Sequence, residues 1–289
     1  MSIPTDATTH LVALGFSEIE SDAYVFLLRE SPATGYRVAQ AIGRTAANTY
    51  KALETLEERG AVMAEEAESR MYRAVELSEL LRSLEKTFHR HHVGAAQALA
   101  SLPSAHMDER VYQLRTCDQV FERCISILGR AQHVVLIDIF PAPLAMLREA
   151  IAACAARGIR VATLLYEAAA IPGVTVVENH QSAMVRARWP GQWVNLAADS
   201  SEQLHALLTP DGGEVVHATW SASPFLAHLY QSGLLGELLA SAIRHAIRDG
   251  ASRGEIDSIY RDISRFEHAD TPAFASLTSA PLRRARRKG

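Results

Sequence analysis

The feature that most constrains this chain is a run of helix boundary signals between Ser17 and Gly60. Ser17 is followed three residues later by Glu20, the spacing of a capping box. In such a box the serine and the glutamate each take up a backbone N–H left unpaired at a helix start. Ala23, Tyr24, Leu27 and Leu28 then recur at helical spacing until Ser31-Pro32 ends the segment. Thr34 is placed to cap a second, short helix with Val38, Ala39 and Ile42 on its apolar side. Gly43 follows it, and glycine is the residue most at ease in the left-handed turn after a helix. Thr45 caps a third helix, whose apolar side reads as Ala46, Tyr50, Leu53 and Leu56, up to Gly60. A helix, a short helix, a turn at Gly43 and Arg44, and a longer helix make the helix-turn-helix plan. The patterns AVMAEE and RMYRAVE, joined by Glu66 to Ser69, add two short strands of a wing.

The N-terminal turn of the third helix presents Arg44, Thr45, Asn48, Thr49 and Lys51 away from that apolar side. In a helix-turn-helix this end enters the major groove, where Asn pairs with adenine and Arg with guanine. Arg37 and Lys51 suit phosphates, which fix register without reading sequence. Arg70, on the wing, is placed for the minor groove or the backbone. The plainer alternative is a winged helix kept for protein contacts, with these residues as a solvated face.

Charge tempers the expectation of tight binding. Between Thr34 and Val75 the bases Arg37, Arg44, Lys51, Arg59, Arg70 and Arg73 are matched by Glu54, Glu57, Glu58, Glu65, Glu66 and Glu68. A neutral module binds through few contacts, so affinity gains from dimerisation.

Leu14-Gly15, Ser17, Glu20, Tyr24, Leu27-Leu28, Tyr50, Leu53, Leu56 and Gly60 fall in the pattern of TrmB-type transcriptional regulators, which residues from about 10 to 85 resemble. The resemblance implies a winged-helix DNA-binding domain in a dimeric regulator, often responsive to sugars or other metabolites. Ala46-Ala47 departs from it, standing where the family more often has polar or basic residues.

From Ser78 a long helical pattern runs through Leu80, Leu81, Leu84 and Phe88 to Leu99, closed by Pro103 and SAHMDE. A helix in this place often pairs with its copy; His89, His91 and His92 interrupt its seam. Beyond Arg110 strands alternate with helices: VYQLRT, a helix from Cys117, HVVLIDIF, a helix from Pro143, IRVATLLY, VTVVEN and WVNLAAD. LHALLT and EVVHATW flank the turn Asp211-Gly212-Gly213, and a long helix closes at Arg248. Such alternation implies a mostly parallel sheet. The fold class expected is thus two-domain, α+β then α/β. It comprises a winged helix-turn-helix over 1–76, a linker or dimerisation helix over 77–105, an α/β effector or dimerisation domain over 106–249 and a polar, basic-ended tail over 250–289.

The order of elements around HVVLIDIF and Ala-Arg-Gly-Ile-Arg-Val is similar to the phospholipase D-like fold. That resemblance implies a His-x-Lys-x-x-x-x-Asp motif, whose counterpart is Gln192-Trp193-Val194-Asn195-Leu196-Ala197-Ala198-Asp199. Gln192 and Val194 replace the His and Lys, and a neutral amide forms no phosphohistidine. No catalytic set is therefore expected, and a phosphodiesterase-like enzyme with a degenerate site is the weaker rival.

Ligands of open α/β sheets sit beyond the carboxyl ends of the strands. Asp138, Tyr166, Arg188, Trp189, Trp193 and Trp220 are the candidates for an effector site. With Arg186 they would suit a polyol or an anionic metabolite. The plainer reading makes the tryptophans core or interface and Asp138 the cap of the following helix.

The remaining observations exclude classes of function. The 289 residues carry a formal net charge of −4, which argues against a chain that coats nucleic acid indiscriminately. Apolar runs fall short of a membrane span, and MSIPTDATTH has neither feature of a secretory signal. Cys117, Cys124 and Cys154 lack metal spacing and read as reduced thiols. His89 and His92 have helical ligand spacing but no third ligand nearby. The expectation is a cytoplasmic regulator without cofactor or metal. Its partners would be a double-stranded DNA operator, a second copy of itself and a small-molecule effector such as a sugar or other metabolite, with no membrane. The RRARRKG tail is either an auxiliary phosphate-binding arm or a solubilising end.

Overall fold

The computed structural model describes residues 5–65, 70–100, 109–267 and 271–279. The turn Glu66–Ser69, Pro103 with the SAHMD that follows it and the basic RRARRKG end lie outside them. The chain divides into two compact units, Met1–Ser104 and Ala105–Gly289.

The first unit runs α1 (Thr5–Ala13), α2 (Glu18–Arg29), β1 (Ala33–Thr34), α3 (Gly35–Ile42), α4 (Ala46–Glu58), β2 (Val62–Glu65), β3 (Met71–Ala74) and α5 (Leu77–Ala100). Local chemistry sets each boundary. Glu20 N donates to Ser17 Oγ at 3.3 Å and Ser17 N donates to Glu20 Oε2 at 3.1 Å, completing the capping box. Arg37 N donates to Thr34 Oγ1 at 3.2 Å, and Asn48 N to Thr45 Oγ1 at 3.5 Å. Between those two helices Gly43 takes φ 66°, as the turn requires.

Tyr24, Leu27, Val38, Leu53 and Leu56 form the fully buried centre. Tyr24 Oη donates to the Val75 carbonyl at 2.9 Å, and Ala74 N donates to Ser31 Oγ at 3.1 Å. These bonds tie the exit of the wing to α2 and to the turn that follows it, which fixes the wing against the helices. The wing itself is a three-stranded antiparallel sheet in the order β1-β3-β2.

Three local expectations are corrected. Residues Thr5–Ala13 form a helix, and Ala33–Thr34 adds a third strand to the wing; neither segment is periodic enough to declare itself. The third correction concerns α4, whose buried residues are Thr49, Ala52, Leu53 and Leu56. Tyr50 is 39% exposed and Ala46 is exposed, so the buried face keeps Leu53 and Leu56 but runs through Thr49 and Ala52 in place of Ala46 and Tyr50. Thr49 passes for polar surface in the sequence, but its hydroxyl donates to the Thr45 carbonyl at 3.0 Å. With its donor satisfied within the helix, its methyl can be buried.

The second unit runs β4 (Val111–Gln113), α6 (Cys117–Arg130), β5 (Val134–Ile139), α7 (Pro141–Ala156), β6 (Arg160–Leu165), β7 (Thr175–Glu178), α8 (Ser182–Arg188), β8 (Gln192–Ala198), β9 (Glu202–Leu208), β10 (Val215–Ser221), α9 (Pro224–Arg248), α10 (Arg253–Ser264) and α11 (Pro272–Ser279). Seven strands make one sheet in the order β4-β10-β9-β8-β5-β6-β7. Only β5–β6 and β6–β7 pair parallel; the other neighbours are antiparallel. The expected mostly parallel sheet is therefore a mixed one, because β8, β9 and β10 follow one another without a crossover helix.

Every residue of β5 is buried, as a strand covered on both faces must be. Val135, Ile137 and Ile139 pack with α6 and α7, whereas Val134 and Leu136 pack with Leu234, Leu235 and Leu238 of α9. Ile263 and Phe266 join that second core, and Ser252 with Glu255 forms a capping box at the start of α10. The segment expected to be a polar tail from residue 250 thus contributes to the core at least as far as Phe266. Its apolar residues Ile256, Ile259 and Ile263 are sparse but recur at helical spacing.

Candidate functional site

Two surfaces carry polar groups in arrangements that packing alone does not require. The first is the outer face of α3 and α4. Arg44, Thr45, Asn48 and Lys51 are exposed around the N-terminal turn of α4, and Thr45 also serves as its N-cap. Thr49 is removed from the expected set by its burial, and Tyr50 takes its place on the surface. A Cβ at Gly35 would run into the Tyr50 ring, so glycine there is what lets the ring lie over the start of α3. That glycine was the available signal for Tyr50. Tyr36, 67% exposed, lies beside it in sequence and was also missed.

Three arginines of the expected contact set are held by carboxylates. Arg37 meets Glu30 at 3.2 Å, Arg44 meets Glu18 at 3.7 Å and Arg70 meets Glu57 at 2.6 Å. All three pairs are solvent-exposed, and such pairs contribute only about 0–1 kcal/mol. A phosphate can therefore displace the carboxylate at small cost. Asn48 and Lys51 have their side chains outside these pairs.

The second surface is a cleft of about 660 Å³ within the second unit, on the α9 side of the sheet. It opens where β5, β6 and β7 end. Asp138 is the penultimate residue of β5, Tyr166 follows β6 and Asn179 follows β7. Strand register then places Asp138, Asn195 and His205 side by side on β5, β8 and β9.

Their side chains are joined along that rung. Trp193 Nε1 donates to Asp138 Oδ1 at 2.9 Å, and Asn195 Nδ2 donates to Asp138 Oδ2 at 3.0 Å. His205 Nδ1 lies 3.1 Å from Asn195 Oδ1, and His205 Nε2 lies 3.1 Å from Gln203 Oε1. Burial pushes the Asp138 carboxyl up to about 6, against the lowering effect of bonds from Trp193, Asn195 and Tyr166. Burial pulls His205 down to about 4, so its ring is neutral at pH 7. A neutral ring that donates from Nδ1 to Asn195 Oδ1 keeps only a lone pair at Nε2, so the contact with Gln203 becomes a hydrogen bond when that amide turns its NH2 group, rather than Oε1, toward the ring.

Aromatic rings wall the cleft. Trp193 stands nearly perpendicular to Tyr166 (5.4 Å, 90°) and to Trp189 (5.1 Å, 80°), and His205 meets Tyr230 edge-on at 4.3 Å. Burial holds the Tyr166 and Tyr230 hydroxyls well above the usual phenol range, so both stay protonated.

Four of the six effector candidates, Asp138, Tyr166, Trp189 and Trp193, meet in this cleft. Trp220 does not. It packs on the α6 side of the sheet, beneath Arg123 at 4.2 Å, and its Nε1 donates to Glu202 Oε2 at 3.1 Å. Arg188 and Arg186 are also absent from its walls; Arg186 lines a separate hollow with Phe140 and Pro190. The plainer reading of Asp138 as a helix cap is overturned, since the N-cap of α7 is Phe140 and no side chain caps that helix. Asn179, Gln203, His205, Tyr230 and Glu237 were not foreseen.

The positions compared with a phosphodiesterase motif have structural partners. Asp199 accepts from the backbone N–H groups of Gln132, His133 and Val134 at 2.8, 2.9 and 2.8 Å, fastening the loop into β5. Gln192 Oε1 accepts from Ala142 N at 3.2 Å, and Val194 is core. Among the described residues no group of three or more His, Cys, Asp or Glu is placed to hold a metal ion, and no helix is long and apolar enough to cross a membrane.

The fold and the exposed turn of α4 define a winged helix-turn-helix regulator joined to a separate sheet-based unit. Each of the two units matches a model of the TrmB family of DNA-binding transcriptional regulators. Residues 11–78 match the family described as sugar-specific transcriptional regulator TrmB. Residues 110–230 match the N-terminal subdomain of the TrmB effector-binding domain, in the unit for which the sequence suggested a phospholipase D-like fold. The chain is 24% identical over 209 residues to the uncharacterized protein YrhO of Bacillus subtilis (strain 168), covering 72% of this chain and 75% of that protein. Among solved structures it is similar to TrmBL2, titled an archaeal chromatin protein with a novel mode of DNA binding (TM-score 0.39, 18% identity, 80% of this chain and 96% of that one). It is also similar to a possible transcriptional regulator from Methanosarcina mazei Go1 (0.28, 9%, 35% and 91%) and to NucT from Helicobacter pylori (0.36, 12%, 46% and 96%).

Proposed function

We propose that the chain acts as a homodimer that reads an operator through the N-terminal turn of α4 and responds to a small metabolite held in the cleft of its second unit. The observation that carries this reading is the division of α4 into two faces. Thr49, Ala52, Leu53 and Leu56 anchor one face in the core, leaving Arg44, Asn48, Tyr50 and Lys51 on the other. Asn48 would pair with a base, Arg44 and Tyr50 would reach base edges or sugars, and Lys51 and Arg37 would meet phosphates. Arg70 would leave Glu57 for the DNA backbone beside the wing.

Dimerisation is supported by α5. Leu77, Leu81 and Phe88 are 45%, 43% and 72% exposed, and with Leu84 they recur at spacings of four, three and four. That is the spacing of a coiled-coil seam. Two winged units presented together double the phosphate contacts of a module whose own charge is balanced. Effector and operator would be linked by population shift, the effector preferring one spacing of the two recognition helices.

Fluorescence anisotropy with duplexes from the chain's own upstream DNA tests the reading. Wild-type protein should prefer one duplex over scrambled sequence. Asn48→Ala should lose about 1–3 kcal/mol of that preference with its thermal midpoint unchanged. Absence of binding at low salt would sink the proposal and favour a protein-interaction role for the winged helix.

A further inference from the structure

We infer that the ligand of this cleft is a small organic cation, an amine or quaternary ammonium compound, rather than a neutral polyol or an anion. The inference rests on the reading of the cleft as the effector site and names what enters it. Three observations carry it.

The first is charge. Among the described residues the cleft is lined by two carboxylates, Asp138 and Glu237, and by no Lys or Arg. Its only other titratable base, His205, is neutral at pH 7. An anionic metabolite would therefore meet like charge in a partly desolvated space. Asp138 accepts from neutral donors alone, and Glu237 across the cleft makes its ionisation harder still. A cation would supply the counter-charge that this carboxylate lacks.

The second is the state of the hydrogen-bonding groups. Asp138 already receives Trp193, Asn195 and Tyr166, and Asn195, His205 and Gln203 are bonded in series. Asn179 Nδ2 donates to Glu237 Oε1 at 3.2 Å. A polyol gains affinity by exchanging hydrogen bonds with water for bonds with the protein, and here most of the protein's partners are engaged with one another. A tetraalkylammonium group needs none.

The third is the geometry of the rings. Trp193 stands at right angles to Trp189 and Tyr166, so the three form walls rather than a stack. Tyr166, Trp189 and Trp193 all line the cleft, so a cation held there lies beside aromatic rings, whose electron-rich faces attract quaternary ammonium ions. The Trp193 N–H bond to a carboxylate adds electron density to that indole and strengthens its face toward a cation.

Isothermal titration calorimetry on the full-length protein, at constant ionic strength, tests the inference with choline and its uncharged isostere 3,3-dimethyl-1-butanol. Choline should bind saturably, and the alcohol about tenfold or more weakly. Glu237→Gln, at an exposed position where folding is not at risk, should weaken choline severalfold and leave the alcohol unchanged. Trp189→Ala, at a half-exposed ring, should weaken both. Equal binding of the alcohol, or saturable binding of glucose without choline, would overturn the cationic assignment while keeping the cleft as an effector site. If no probe binds, or binding is indifferent to both substitutions, the cationic assignment and the effector reading fall together.

Discussion

The two units of this chain use polar side chains in opposite ways. In the winged helix they lie at the surface in exposed pairs such as Arg37–Glu30 and Arg70–Glu57, each readily exchanged for another partner. In the sheet unit they turn inward and are fixed: Asp138, Asn195, His205 and Gln203 are bonded along one rung of the sheet, under a wall of aromatic rings. The contrast teaches what each surface is suited to. DNA is a large polyanion that competes for arginines and lysines, so its reader needs groups that can change partners. A small ligand makes few contacts, and its site gains by having donors and rings held in place before binding.

Removing a fixed group should therefore cost stability, and removing an exchangeable one should cost binding. Trp193→Ala deletes a ring packed 4.2 Å from Phe140 and a hydrogen bond to a buried carboxylate. It should destabilise the sheet unit by about 3–5 kcal/mol in denaturant unfolding. A loss under about 1 kcal/mol would show that the aromatic wall is not a fixed element.

The rung also predicts an unusual acid response. A carboxyl raised from 3.8 to about 6 binds its proton more tightly in the folded state, so its contribution to stability falls as pH rises through that window. A histidine lowered from 6.5 to about 4 binds its proton more tightly when unfolded, so its contribution falls as pH drops through nearly the same window. The two slopes oppose one another between pH 4 and 6.5. Tyr166 and Tyr230, which face the same groups, stay protonated throughout. His205→Gln should expose the Asp138 slope alone, with stability increasing as pH falls from 6 toward 4. A variant profile as flat as wild type would contradict the assignment. A cationic ligand should bind more tightly as pH rises through 6, because Asp138 is then ionised.

The smallest effect is expected at an exchangeable pair. Arg37→Ala should leave the melting temperature nearly unchanged, lower DNA affinity about equally for all sequences, and flatten the salt dependence by about one unit of slope. A loss confined to the preferred sequence would make Arg37 a base reader instead.

The winged helix was legible because its boundaries are local. Ser17 with Glu20, Thr34, Gly43 and Thr45 each act within three or four residues, and each forms the predicted cap or turn. What misled was the face of α4. Tyr50 is the larger apolar residue, but Thr49 is the buried one once its hydroxyl bonds back to Thr45. The sheet unit was legible strand by strand and at the strand ends, which is how Asp138, Tyr166 and Trp193 were found. Gln203, His205, Tyr230 and Glu237 reach the cleft through antiparallel register and the packing of α9, contacts between positions far apart in sequence, whereas Asn179 follows β7 at a strand end like that of Tyr166. Trp220 was misplaced for the same reason: β10 continues beyond β9 and turns that ring to the opposite face of the sheet.

Hydrogen–deuterium exchange on the full-length protein, with and without the preferred duplex, tests the division of labour most directly. The first amides of α4 have no partner within the helix beyond the long bond from Asn48 N to Thr45 Oγ1, so they exchange quickly in free protein and report any covering of that turn. DNA should slow exchange over residues 44–51, with no slowing of comparable size around Asp138, Asn195 and His205. Unchanged exchange over 44–51 together with protection of the cleft would contradict the account.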